Sequence, residues 1–477
     1  LPRFTGNLFS KFPAASNPNM TGAVIKTKKL KDFMILIGIF FCVCQIVSYA
    51  RKNLEVPEEV NENLPRSIKQ DAPPPDDVHS LTGNVIDWHQ PYGGGRHLFI
   101  YSAYLDRRRP TEPCIKLIAF IRRKRKLDIE CTYWFASNKV TTIEASVRHI
   151  IDYKLSTHSA AFIICPVLDY SRSDVIQRIT IATVIGKSRN FTNSIPVQII
   201  EKRRKLGELN VCVKIVHSNF NNAIRLVEFM EMYKLLGSDH FIFYNSSIGP
   251  DVEAVLQNYV EEGIVEMLPW NPTLEDEVEM FYYGEHASQN DCALRSIKHF
   301  QLTAMVDVDE FIVPKAHDNL LQMIDYLGNY SDYVFRNTFF YLGWEDDQVE
   351  HAILDRLTNR LLTQKKTRRV ETPMLFLSRS KYITRPENVI EAGSHNVWEF
   401  IDGLWKTSDR TLDVPTEAAV SQHYRNCLPR APDCLGQPSL IDRSAQRFME
   451  PLVNAISKTC RQVFPAQPSC PQPPPPT

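Results

Sequence analysis

Asp307 and Asp309 stand one residue apart in the segment MVDVDEFIV (residues 305–313), where an apolar run turns acidic and then apolar again. Side chains two apart on an extended chain point the same way. A strand over 302–306 therefore sends both carboxylates off its C-terminal end on one side. Two carboxylates so placed make a hard oxygen site for Mn²⁺ or another divalent cation, and such an ion can hold a diphosphate. Glu310 follows as a third acid, either a general base or the acceptor of a hydrogen bond within its own turn. His395 and His423 are alternatives for completing the metal shell, because neutral imidazole is a good Mn²⁺ ligand. Arg385 and Arg425 carry the guanidinium fork that suits phosphate oxygens. Arg385 precedes Pro386 and is expected to be extended, so its side chain can instead brace its loop.

These residues need a scaffold, and the pattern from about residue 209 supplies one. Apolar runs at 211–217, 240–244, 264–268 and 302–306 read as strands. Helical patterns separate them: one capped by Asn221 or Asn222 and ended by Gly237, one opened by Pro250, and one over 287–300. Strand and helix in alternation predict a parallel sheet with crossovers, and ligands bind beyond the carboxyl ends of such strands. Residues 95–208 hold several β-rich runs, such as HLFIYS (97–102) and IKLIAFI (115–121), with no long helical stretch. They predict a β-rich segment before an α/β domain over 209–450, with a Pro-rich tail over 451–477.

The chain has 55 basic and 55 acidic residues, so net charge gives no support for nucleic-acid binding. A glycine-rich dinucleotide fingerprint, a P-loop and a Gly-x-Ser-x-Gly elbow are all missing. Residues 33–50, FMILIGIFFCVCQIVSYA, are apolar over about one membrane crossing, with lysines at 26, 28, 29 and 31 before them. That bias predicts an uncleaved signal-anchor helix with the N-terminus cytoplasmic. On this reading 1–32 form a cytoplasmic tail, 33–50 a single transmembrane helix and 51–94 a lumenal stem. Nine cysteines follow the apolar segment without a Cys-x-x-Cys pair, predicting several disulfides and at least one unpaired thiol. Asn190, Asn245 and Asn329 each open a glycosylation sequon.

Five segments, taken in order, resemble family 92 glycosyltransferases. They are DHFIFYN (239–245, with VKIV at 213–216 before it), HASQNDC (286–292), DVDEFI (307–312), SKYITRPE (380–387, followed by His395) and HYR (423–425). The resemblance implies a GT-A fold, a type II Golgi membrane enzyme, a metal-dependent UDP-sugar donor and inversion at the anomeric carbon. It further implies galactose from UDP-galactose as the transferred sugar and a glycan acceptor such as the fucose of an N-glycan. An inverting transfer also needs a base. Glu345 and Asp346, in GWEDD (343–347), look like the acidic motif of β-1,4-galactosyltransferases and are candidates beside Glu310. A solvated acidic turn is the alternative for that motif. Two other functions stay open at this point: a metal-dependent hydrolase on the same Asp pair, and a lumenal glycan-binding or interaction protein without catalysis.

Overall fold

The computed structural model describes residues 87–150, 156–167, 175–183, 193–200, 207–274, 279–348, 361–403, 409–428, 433–467 and 469–471. The β-rich segment forms one sheet from β1 (Leu98–Asp106), β2 (Cys114–Arg122), β3 (Ile129–Phe135), β4 (Val140–Glu144), β5 (Ser146–His149), β6 (His158–Pro166), β7 (Ile176–Thr183) and β8 (Ile195–Ile199). Their order is β4-β3-β7-β8-β1-β2-β6-β5. The sheet curls: Cys131 of β3 and Cys165 of β6 have four strands between them in that order, yet a disulfide joins them with their Cα atoms 6.1 Å apart. Every residue of β1 is buried, because both of its faces are covered. Leu98, Ile100, Ala103 and Leu105 face the inside of the curl. Phe99, Tyr101 and Tyr104 instead join a core shared with the α/β part.

The four strands expected from the alternating pattern are neighbours in parallel: β9 (Leu209–Val213), β10 (His240–Asn245), β11 (Val265–Pro269) and β12 (Leu302–Val306). Helices α1 (Ala223–Leu235) and α2 (Pro250–Glu261) cross between them. The Asn222 side chain caps α1 by accepting from the Arg225 amide, and Pro250 sits in the first turn of α2. Helix α3 (Glu285–Ser296) then leads to β12. Beyond β12 the chain departs from the expected pattern. A short β13 (Glu310–Pro314) follows at once, then α4 (Leu320–Leu327), β14 (Asp332–Phe335) and β15 (Asn337–Tyr341). Next come β16 (Lys381–Thr384), the hairpin β17 (Val389–Ala392) and β18 (Val397–Phe400), β19 (Thr411–Asp413) and β20 (Ala419–Arg425).

The expected mostly parallel sheet is corrected to a mixed one. Its order is β11-β10-β9-β12-β16-β14-β19, and β16 runs antiparallel to both β12 and β14. A separate three-stranded sheet, β13-β20-β15, pairs β20 antiparallel with β13 and parallel with β15. The run 333–340 divides at Arg336 between these two sheets.

The membrane expectation is also corrected. Among the described residues no helix is long and apolar enough to cross a membrane. The longest of the helices named here, α5 (Met449–Val463), has 15 residues and a mixed polar and apolar composition, against about 20 apolar residues for a crossing. The expected anchor, 33–50, lies outside the described residues, as do the tail and most of the stem. The transmembrane helix, the signal-anchor, the membrane partner and the single-pass Golgi location are therefore all withdrawn. The tail expected from residue 451 begins instead as α5, which the Cys460–Cys470 disulfide closes. Of the nine cysteines, eight pair and Cys114 stays unpaired, as expected of the set.

Helix α3 is buried along almost its whole length between the two large sheets, so its polar side chains need partners. Asp291 finds them on three sides. It accepts from Ser102 Oγ and from Tyr104 OH at 2.6 Å on β1, from Tyr244 OH at 2.6 Å on β10, and from Arg295 one turn along. The next residue, Cys292, is disulfide-bonded to Cys212 of β9. Removing one member of a buried charged pair leaves the other uncompensated. Asp291→Asn is expected to lower the unfolding free energy by roughly 3–5 kcal/mol. Denaturant titration of native and variant protein checks this, and a loss under about 1 kcal/mol contradicts it.

Candidate active site

The Asp-x-Asp turn lies where β12 ends. Asp307 and Asp309 span the gap to β13, and the Glu310 amide donates to the Asp307 carbonyl at 3.0 Å. Glu310 in turn accepts from the Asp307 amide at 3.2 Å, so its structural role in the turn is real. One carboxylate oxygen each from Asp307, Asp309 and Glu310 lies within 4.8 Å of the others. Asp307 and Asp309 are partly exposed, whereas Glu310 is buried. The group lines a cleft of about 1270 Å³.

Two lysines and a histidine hold these acids. Lys381, almost fully buried at the start of β16, lies 2.8 Å from both Asp307 and Glu310. Lys214, just past β9, lies 3.3 Å from Asp307 and 3.0 Å from Glu285 at the start of α3. Burial alone would raise the Asp307 pKa, but Lys214 and Lys381 outweigh it and hold the carboxyl well below the usual range. Glu285, against the same burial, is held at about 2 by Lys214. His423 on β20 stands opposite Glu310 in register, with Nδ1 2.9 Å from Glu310 and Nε2 3.4 Å from Asp309. Burial disfavours its charged form, yet Glu310 and Asp309 push it up to about 9, so the ring is protonated at neutral pH.

This donor set fits a divalent cation. Asp307, Asp309 and Glu310 each bring a carboxylate oxygen within 4.8 Å of the others, a set of hard oxygen ligands with no thiolate among them.

The remaining sequence candidates divide. His395 and Arg425 line the same cleft. Arg425, in register with Tyr341, places its guanidinium over the Phe339 ring at 5.7 Å. Arg385 lies elsewhere: its backbone is extended and its Nε donates to the Tyr330 carbonyl at 3.1 Å, bracing the loop. Glu345 and Asp346 are exposed and do not line the cleft; Asp346 pairs with Lys366 at 2.5 Å. Asn329 is exposed after α4 and Asn245 is half-buried at the end of β10, while Asn190 lies outside the described residues. Lys214 and Lys381 carried no expected role, although both lie inside segments singled out in the sequence. The cleft also holds His217, stacked on Tyr283 at 3.8 Å, which local pattern did not mark.

A model of glycosyltransferase family 92 matches residues 207–461, more than half of the chain. The protein belongs to glycosyltransferase family 92. This family-92 chain is 23% identical over 396 residues to beta-1,4-galactosyltransferase galt-1 of Caenorhabditis elegans, covering 78% of itself and 87% of that relative. It is 24% identical over 144 residues to the glycosyltransferase family 92 protein F13G3.3 of the same organism, covering 28% of each. Among solved structures it is similar to residues 1–349 of S. aureus TarS at 11% identity and a TM-score of 0.28, over 46% of this chain and 60% of that one. So weak a structural likeness carries no argument. Family membership makes the protein a glycosyltransferase, and its carboxylate cluster makes it a metal-associated one.

The cleft wall that carries His395 depends on Asp332. This fully buried carboxyl accepts from the Val397 amide at 3.1 Å, and burial, offset only by that bond, pushes its pKa up to about 8. The folded pKa exceeds the unfolded one, so the folded state binds the proton more tightly. The stability this confers is complete below about pH 4 and is lost as pH rises towards 8. Asp332→Asn is expected to flatten that decline, which otherwise approaches about 1.4 kcal/mol per pH unit. Denaturant midpoints of both proteins between pH 5 and 8 give the comparison, and parallel pH profiles contradict it.

Proposed function

We propose that this glycosyltransferase is an inverting galactosyltransferase that uses UDP-galactose and a divalent cation, Mn²⁺ being the first choice, to extend a glycan such as the fucose of an N-glycan. The observation that carries the reading is the convergence of Asp307, Asp309 and Glu310 within 4.8 Å in the cleft. The sugar is supported by the name of the relative that matches over 87% of its length, a beta-1,4-galactosyltransferase. The acceptor is supported by the motif resemblance alone.

Asp307 and Asp309 would hold the ion, with Asp309 the more direct ligand because Asp307 is already engaged by two lysines. His423 would complete the set through Nε2 on giving up its proton. A bound cation supplies Lewis-acid charge that eases departure of the nucleoside diphosphate. Lys381 and Lys214 keep Asp307 ionised and fix its direction, and His423 does the same for Asp309. Arg425, whose Nε donates to the adjacent Asn426 carbonyl at 3.3 Å, is placed to turn towards phosphate oxygens. Glu310 is buried between Lys381 and His423 and serves to orient them.

Asp309→Asn should cut galactose transfer by about 10²–10³-fold, the scale for losing one electrostatic element of a site. Its melting temperature should stay close to native, since the side chain is partly exposed. A screen of UDP-sugars against fucosylated N-glycans, with Mn²⁺ and with chelator, checks the reading. Full activity in chelator, or undiminished transfer by Asp309→Asn, defeats the metal assignment. Transfer from a different UDP-sugar moves the donor and leaves the rest.

A further inference from the structure

Attack by an acceptor hydroxyl requires a group to take its proton. The carboxylates of the cleft are already engaged. Glu285 is held by Lys214, Asp307 by Lys214 and Lys381, Glu310 by Lys381 and His423, and Asp309 by His423. His423 spends both ring nitrogens on those acids.

His395 differs from all of these. Its Nδ1 lies 3.1 Å from the Ser380 carbonyl oxygen. A carbonyl only accepts, so Nδ1 carries the hydrogen and the neutral ring leaves a lone pair on Nε2. Among the described residues Nε2 has no hydrogen-bond partner, it is not a sealed buried atom, and the ring lines the cleft.

The ring is also held still. It sits in the turn of the β17–β18 hairpin, and that turn is tied down on several sides. Asn290 of α3 bonds both the amide and the carbonyl of Ala392, at 2.8 and 2.9 Å. Tyr382 OH donates to the Gly393 carbonyl at 2.8 Å, and His286 Nε2 meets Ser394 Oγ at 3.0 Å. An acceptor on so rigid a support is pre-organised for one direction of approach.

We propose that His395 Nε2 is the general base of this glycosyltransferase, an inference that rests on the inverting transfer argued above. The acceptor O–H bond breaks as its proton moves to Nε2, and the freed oxygen pair forms the bond to the anomeric carbon. The bond from that carbon to the diphosphate oxygen breaks, and its electron pair leaves with the nucleoside diphosphate. The Nδ1–H bond to Ser380 then stabilises the imidazolium until water takes the proton.

The surrounding charge suits this order of events. Burial, then Lys381 and Lys214, hold the ring at about 4, with Glu285 opposing them, so it is neutral before substrates arrive. The negative diphosphate of a bound donor would offset those two lysines and make Nε2 more basic only once the donor is in place.

The test compares native protein with His395→Ala and with His395→Gln, which keeps polarity and bulk. Transfer kinetics, UDP affinity and Mn²⁺ affinity by calorimetry, and melting temperature are measured on each. The expected result is a fall in kcat of about 10²–10⁴-fold in both variants. UDP and Mn²⁺ affinities should stay within about threefold of native, a change under 1 kcal/mol. Added imidazole should restore part of the activity of His395→Ala. Transfer by His395→Gln within tenfold of native overturns the proposal. A large loss of Mn²⁺ affinity also overturns it and makes His395 a metal ligand. Failure of native protein to bind UDP at all overturns the UDP-sugar reading on which the proposal rests, and the proposal with it.

Discussion

The fold turns on one buried carboxylate. Asp291 has no exposed surface, and four neighbours from two sheets and its own helix surround it. A charge in such a place is tolerable only if every lone pair is used. Those four neighbours include both tyrosines that wedge the curled sheet against the α/β part. Position and direction of α3 follow from this, and the disulfide at Cys292 repeats the constraint covalently. Both flanks of the cleft depend on that helix: its first residue, Glu285, holds Lys214, while Asn290 pins the hairpin that carries His395.

The chemistry of the cleft is organised around β20. Along this strand His423 faces Glu310 on one side and Phe339 on the other, and Arg425 faces Tyr341 two residues on. One strand therefore brings the acidic turn, an imidazole and a guanidinium into a line. Lys381 and Lys214 reach the same acids from β16 and β9. Asp307 and Glu285 are thus ionised before any ligand arrives, and Asp307 needs no proton loss in order to bind a cation. Only His423 must lose a proton, and its two carboxylate neighbours account for that.

What local pattern could reveal was local structure. The cap at Asn222, the proline opening α2, the four parallel strands and the Asp-x-Asp turn all depend on residues close together in sequence, and all were legible. The antiparallel insertion of β16 was not. Its partners β12 and β14 are distant in the chain, and a four-residue apolar run carries no sign of direction. The roles of Lys214 and Lys381 were hidden for a related reason. A lysine beside a strand reads as a solvated end, and only tertiary packing shows Lys381 almost fully buried between two acids. The GWEDD segment shows the converse. Its composition suggests catalysis, but Trp344 donates to the Leu435 carbonyl and Asp347 pairs with Arg443, so its partners lie in a surface turn.

The segment just before α3 gives the cleft its other wall, and its geometry has a consequence for where the enzyme can be cut. Tyr282, Tyr283 and Gly284 take positive φ in succession, and a Cβ on Gly284 would come within 2.3 Å of the Phe120 ring. Phe120 belongs to β2, outside residues 207–461 that match the family. Ser102 and Tyr104 of β1, which solvate Asp291, also lie outside that match. The stretch recognised as the catalytic module is therefore an incomplete folding unit. Excised from the curled sheet, it would carry a stripped carboxylate and a wall with nothing behind it. A shortened enzyme would have to begin before β1.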